Sequence, residues 1–190
     1  MERVLMKELI AWKESPRRKP LVLRGARQVG KTWLMKTFGQ RCYAKTAYIN
    51  FDHNERMQRV FAQDFDIDRL LMALNAETGI SITSGDTLII LDEVQEAPLA
   101  LSSLKYFCEN APGYHVIAAG SLLGVAIHQG ISFPVGKIHT MRLYPLSFSE
   151  FLRAMGEENL AGLLDQGAMD MLDMFRDRFI TWLKNYYFVG

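Results

Sequence analysis

Four residues at fixed spacing, Gly25, Gly30, Lys31 and Thr32, are the part of this sequence best equipped for chemistry. The octet Gly25-Ala26-Arg27-Gln28-Val29-Gly30-Lys31-Thr32 fits the pattern G-x-x-x-x-G-K-[ST] in full. Glycines allow unusual dihedrals and let the backbone pass close to phosphate oxygens. The N–H groups of such a loop then point inward as an anion nest, at the positive end of the helix that follows. Lys31 carries a compact charge on a flexible stem that can reach the β- and γ-phosphates of a nucleotide. The Thr32 hydroxyl can complete a Mg²⁺ shell. Trp33 comes next and either packs on the sheet, the default for its type, or approaches the nucleotide. At average residue usage these four positions coincide by chance in roughly one chain per hundred of this length. Leu21-Val22-Leu23 before the loop and a helical pattern at 31–40 after it supply the strand, loop and helix that the motif requires. The ligand predicted for residues 25–33 is a nucleoside triphosphate with Mg²⁺; adenine and guanine are both open by residue chemistry, and the lack of an Asn-Lys-x-Asp guanine reader favours ATP.

Two further strand ends offer chemistry. Leu88-Ile89-Ile90-Leu91 runs into Asp92-Glu93. A parallel sheet places ligands at the carboxyl ends of its strands, so both acids are expected beside the loop. Asp92 would then hold Mg²⁺ through water, and Glu93 would polarise an attacking water as a general base. Acids also follow strands simply as helix caps, and it is the upstream loop that tips the reading towards a metal role. Ala118-Ala119-Gly120 leads to Ser121, which either senses the γ-phosphate or caps a helix, and the two roles are compatible.

These groups need a frame to hold them. Strand-like runs lie at 21–23, 47–51, 88–91, 115–119 and 138–143, with helical patterns at 31–40, 67–77, 99–110 and 122–128 between them. Strands that are apolar throughout and alternate with helices predict a parallel sheet covered on both faces. Leu5, Leu9 and Trp12 at helical spacing predict an opening helix, broken by Ser15-Pro16-Arg17-Arg18-Lys19-Pro20, a solvated turn. Asp52-His53-Asn54-Glu55 reads as a polar loop. After Leu143 the character changes. A helix is expected from Ser147 or Ser149 as N-cap, then a loop around Gly156 and Gly162, then a long helix at 169–187. Phe179, Trp182, Tyr186, Tyr187 and Phe188 would be odd on a free surface and are expected to dock on a further domain.

The bulk composition narrows the class. The 190 residues are 49% hydrophobic and 23% charged, with a net charge of +1, which gives no global electrostatic case for nucleic acid or membrane. Local nucleic-acid binding stays open, although no basic groove interleaved with aromatics is visible. Two widely separated cysteines, Cys42 and Cys108, and the lack of a signal-like N-terminus read as cytoplasmic. His53, His115, His128 and His139 show no zinc or triad spacing, and Ser102, Ser103 and Cys108 sit in no nucleophile motif.

The loop with its preceding Arg24, then Leu91-Asp92-Glu93-Val94-Gln95, Ala119-Gly120-Ser121-Leu122-Leu123-Gly124, and 143–151 from Leu143-Tyr144-Pro145 to Glu150-Phe151, carry a resemblance. In order and spacing they resemble the prokaryotic AAA-type P-loop ATPases, and more narrowly the AAA_14 group, usually joined to a C-terminal DUF4143 domain. The resemblance covers about the first 155 residues. It implies an α/β three-layer αβα sandwich of the ASCE type, strand order 5-1-4-3-2, with a helical C-terminal extension. It also implies ATP hydrolysis, with Glu93 activating water and Ser121 at the sensor position. Residues 1–155 would form the ATPase domain and 156–190 a helical segment leading to a domain absent from this chain; oligomers are possible. ATPases of this class often stabilise the γ-phosphate with an arginine or lysine. Arg142 is the first choice for that role, ahead of Lys137, with Arg24 and Arg27 assisting near the loop; a plain surface charge on an edge strand competes with it. The functions in play are a Mg²⁺-dependent ATPase that moves an attached domain or partner, a switch that binds ATP without turnover, and a small-acceptor kinase. The acid pair argues against the last.

Overall fold

The chain is described from a computed structural model, which covers residues 3–121 and 134–189. Contacts divide it into two units, Glu8–Leu143 and Met1–Lys7 with Tyr144–Gly190. The expected helix at 122–128, with Leu122, Leu123, Gly124 and His128, lies outside the described residues.

The larger unit is built on five parallel strands: β1 (Leu21–Arg24), β2 (Lys45–Asn50), β3 (Thr87–Asp92), β4 (His115–Gly120) and β5 (His139–Arg142). Their order is β2-β3-β4-β1-β5, the expected 5-1-4-3-2 read from the other edge. Every residue of β3 and β4 is buried, as continuous apolar runs in the middle of a two-faced sheet must be. Along the edge strand β5, half-buried residues alternate with exposed ones instead.

Helices cover both faces. They are α1 (Leu5–Glu14), α2 (Lys31–Cys42), α3 (Glu55–Gln63), α4 (Ile67–Thr78) and α5 (Pro98–Asn110). Side chains alternate across a strand. Val22, Ile49, Ile89, Leu91, Val116 and Ala118 therefore share one core with Met57 and Phe61 of α3, Leu74 of α4 and Leu104 of α5. On α2, Leu34, Met35 and Phe38 are fully buried, and Trp12 of α1 packs its ring 6.2 Å from that of Phe38.

The polar loop expected at 52–55 is a turn at Asp52 and His53, and only its last residue, Glu55, enters α3. Asn54 Oδ1 accepts from the Met57 amide at 3.1 Å, which satisfies one of the orphan N–H groups of a helix start. Asp66 caps α4 in the same way, at 2.9 Å from the Arg69 amide, and Gly79 ends it in the left-handed region.

In the smaller unit, Ser147 and Glu150 form a capping box at the head of α6 (Phe148–Ala154), which decides between the two serines considered as N-cap. Glu150 is 6% exposed. It accepts from Arg3 Nε at 3.0 Å, the Val4 amide at 2.9 Å and the Ser147 amide at 3.0 Å. Burial works to raise its pKa, but these donors outweigh burial and hold it below the usual range. Gly156 lies in a loop as expected, but Gly162 lies inside α7 (Glu158–Gln166). The long helix expected at 169–187 is two, α8 (Met169–Met174) and α9 (Arg176–Val189), parted at Phe175.

Phe179, Trp182 and Tyr186 pack within this unit, against expectation. Phe179 and Trp182 pack on the cluster of Leu152, Leu160 and Ala161. Tyr186 rests 5.5 Å from the Phe151 ring, and its hydroxyl donates to the Leu146 carbonyl at 2.5 Å. Tyr187 and Phe188 are exposed. Among the described residues no helix is long and apolar enough to cross a membrane.

Candidate nucleotide-binding site

The register of the sheet brings Arg24, Gly120 and Arg142 side by side at the carboxyl ends of β1, β4 and β5, and pairs Asn50 with Asp92 at the ends of β2 and β3. All the predicted site residues fall along this edge.

The loop leaves β1 through Gly25. A Cβ there would sit 2.5 Å from the carbonyl oxygen of Leu143 and 3.1 Å from Val29 Cγ2, so the position has no room for a side chain. Gly30 turns the chain into α2 with φ 90°, ψ 25°, a conformation that costs L-residues with a Cβ. Gln28 also has positive φ, at 62°. No side chain caps the first turn of α2, and no acid sits in it. Its N–H groups and its positive end are therefore directed at the loop.

Lys31 is buried, and its ammonium donates to the carbonyls of Gly25 at 3.0 Å and Ala26 at 2.7 Å, with Ser121 Oγ 3.5 Å away. Desolvation lowers its pKa; Glu93 and Asp92 pull it back up, and Arg27 adds to the lowering. Next to it, Thr32 Oγ1 donates to Asp92 Oδ2 at 2.6 Å. Asp92 is 1% exposed, and it also accepts from Tyr48 Oη at 3.1 Å and from the Glu93 amide at 3.0 Å. An uncompensated carboxylate so deeply buried would be costly, and these three donors stabilise it.

Glu93 takes the left-handed conformation, φ 54°, and its carboxylate accepts from Gln95 Nε2 at 2.5 Å. A cleft of about 520 Å³ opens beside the loop, lined by residues including Arg24, Ala26, Ser121 and Arg142. Lys137, the competing basic candidate, is paired with Glu109 at 2.8 Å. Ala26, Arg27 and Gln28 are exposed at the crest of the loop, and Val29 is half-buried.

The structure thus brings together Gly25 to Thr32, Asp92, Glu93 and Ser121, with Arg142 across the cleft. Trp33 is 40% exposed and is not among the buried core residues. His115 hydrogen-bonds Tyr43 at 2.7 Å and is lowered by burial to a pKa of about 4, which suits an ordinary neutral core histidine.

Two residues at the site escaped the sequence reading. Tyr48 reaches Asp92 from the neighbouring strand, and Gln95 reaches Glu93 across a single 3₁₀ turn, Val94–Glu96. The alternation of Ala47 and Ile49 around Tyr48 was a signal that its side chain faces away from that core.

The oxygen donors fit Mg²⁺, which prefers hard oxygen ligands and is held by one or two protein groups plus phosphates and water. Thr32 and Asp92 would hold it. Among the described residues no group of three or more His, Cys, Asp or Glu could hold a metal by itself.

Residues 17–152 match the AAA_14 model, an AAA domain, over well more than half of the chain. The chain belongs to the AAA_14 family. Membership makes this AAA_14 chain an ATP-binding protein of the ATPase type. No curated protein matches it significantly in sequence. In fold it is similar to a Walker-type ATPase of Pyrococcus abyssi, with a TM-score of 0.51 at 16% identity over 98% of this chain and 75% of that one. A point variant of Thermotoga maritima RuvB gives 0.53 at 14%, over 85% of this chain and 50% of that one. A Drosophila ORC chain, from a structure of that complex bound to DNA, gives 0.51 at 18%, over 96% and 51%. The AAA_14 chain therefore spans about half the length of the last two, and the likeness is one of fold.

Proposed function

We propose that this AAA_14 chain binds Mg·ATP in the loop of residues 25–33 and hydrolyses its β–γ phosphoanhydride bond. The observation that carries the reading is the 2.6 Å contact between Thr32 Oγ1 and Asp92 Oδ2, made beside the buried Lys31 ammonium. Two oxygen groups, a carboxylate and a hydroxyl, and the Lys31 ammonium at the loop carbonyls support this reading.

Gly25, Ala26, Arg27, Gln28, Val29 and Gly30 present backbone N–H groups to the phosphates. Lys31 exchanges its loop carbonyls for β- and γ-phosphate oxygens, an exchange favoured by charge. Trp33, exposed at the start of α2, lies along the nucleotide. Thr32 and Asp92 would hold Mg²⁺, which would supply screening of the phosphate charge. Glu93 accepts a proton from water as the water oxygen bonds to the γ-phosphorus; the bond from that phosphorus to the bridging oxygen breaks, leaving ADP and phosphate. Ser121 contacts the γ-phosphate, and Arg142 stabilises its charge from across the cleft. The turnover cycle drives motion of an attached domain or partner, with residues 156–190 as the helical connection towards a DUF4143-type domain.

The test is phosphate release from ATP with and without Mg²⁺, in the natural chain and in Lys31→Ala and Glu93→Gln. Release that needs Mg²⁺ and is lost in both variants supports the reading. Tight Mg·ATP binding with no release from the natural chain would replace it with a nucleotide-dependent switch.

A further inference from the structure

Asp92 is held by more than its metal-side partner. Its Oδ2 takes two donors, Thr32 Oγ1 at 2.6 Å and Tyr48 Oη at 3.1 Å, while Oδ1 takes the Glu93 amide at 3.0 Å. Thr32 can keep donating its proton to Asp92 while offering a lone pair to a cation. The Glu93 amide is fixed by the backbone. Among these three donors, Tyr48 is thus the side chain that has no task at the cation.

Its placement follows from the sheet. Tyr48 pairs with Ile90, two residues before the Asn50–Asp92 pair, so Tyr48 and Asp92 rise from the same face on adjacent strands. The ring is itself braced from above: Lys36 Nζ lies 3.7 Å from its centroid. Lys36 and Thr32 are four residues apart on α2 and share one helix face. One helix thus touches both ends of a chain of contacts running Thr32, Asp92, Tyr48, Lys36.

We infer that Tyr48, braced by Lys36, is a positioning residue that holds the Asp92 carboxylate in the orientation needed by the divalent cation. The inference rests on the Mg·ATP reading above. A carboxylate that loses this donor can rotate about its last bond, and partners that orient a metal ligand typically contribute 10–100-fold to metal affinity.

The experiment is calorimetric titration of a non-hydrolysable ATP analogue, with and without Mg²⁺, into the natural chain, Tyr48→Phe and Lys36→Met. Thermal unfolding without nucleotide checks that each variant is folded. The analogue's metal-free affinity is expected to stay within about twofold, because Tyr48 does not face the phosphates. The gain in affinity on adding Mg²⁺ is expected to shrink about 10-fold or more in Tyr48→Phe, by the scale for such partners. In Lys36→Met, whose side chain is exposed and whose loss leaves the core intact, it shrinks several-fold. Full retention of the Mg²⁺ gain in both variants overturns the inference, and so does a parallel loss of metal-free affinity, which marks a merely structural role. Analogue binding by the natural chain with no Mg²⁺ gain would overturn the Mg·ATP reading as well, and is told apart from the first failure by the natural chain alone.

Discussion

Gly25→Ala tests how the loop is anchored. The added Cβ would lie 2.5 Å from the Leu143 carbonyl oxygen, a contact that side-chain carbons do not make. The oxygen belongs to backbone, and the Leu143 amide is itself tied to the Arg24 carbonyl at 2.7 Å, so Leu143 cannot recede without loosening the end of β5 from β1. Val29 Cγ2, 3.1 Å away on the other side, closes the second route. Inserting one methyl into a site with no give costs about 1–3 kcal/mol. At 2–4 °C per kcal/mol for a chain of this size, Tm should fall by roughly 2–12 °C. Because the displaced residue opens the phosphate loop, Mg·ATP affinity should fall about 10-fold or more, from misplacement of N–H donors. The assay is thermal unfolding by circular dichroism without nucleotide, followed by nucleotide titration. An unchanged Tm with unchanged affinity would refute the argument, since it would mean that the loop and the end of β5 are not in contact.

Two further outcomes follow from buried ionisable groups. His115, neutral in the core with a pKa of about 4 against an unperturbed 6.5, resists protonation that the unfolded chain accepts. Stability is therefore full above pH 6.5 and falls as pH drops from 6.5 towards 4, by at most about 3 kcal/mol less solvent screening; denaturant melts of His115→Gln should lose that part of the slope. Glu150→Ala removes the counter-charge of Arg3 from a buried pair and should destabilise the smaller unit by about 3–5 kcal/mol, read from Trp182 fluorescence. In the natural chain the lowered pKa of Glu150 makes its contribution complete above pH 4.5 and lost as pH falls through the folded-state value.

What was legible in the sequence follows from how local each signal is. The phosphate loop is read directly because its chemistry is its spacing: Gly30 must turn with φ near 90° and Lys31 must follow it. The apolar runs that became β3 and β4 were equally plain, since burial on both faces leaves no polar position to confuse the pattern. Strand order came from the family resemblance rather than from the runs themselves. Helix α3 was missed because its only fully buried residues are Met57 and Phe61, and its start depends on the Asn54 side chain. The break at Phe175 leaves the helical pattern of 169–187 almost undisturbed, so periodicity carries it straight through. Tyr48 stands 44 residues from Asp92, and only the β2–β3 register brings them together. Gln95 reaches Glu93 because Glu93 adopts a left-handed turn that a non-glycine residue rarely takes.

The most direct test of the central claim is the binding of Mg·ATP to the natural chain, Lys31→Ala and Glu93→Gln, measured by calorimetry under one set of conditions. Tight binding to the natural chain and to Glu93→Gln, with binding lost in Lys31→Ala, is the predicted result, because the role proposed for Lys31 is to hold phosphate and that proposed for Glu93 is to act only on water. Equal binding to all three chains, or none to the natural chain, would contradict the assignment of the loop of residues 25–33 as the nucleotide site.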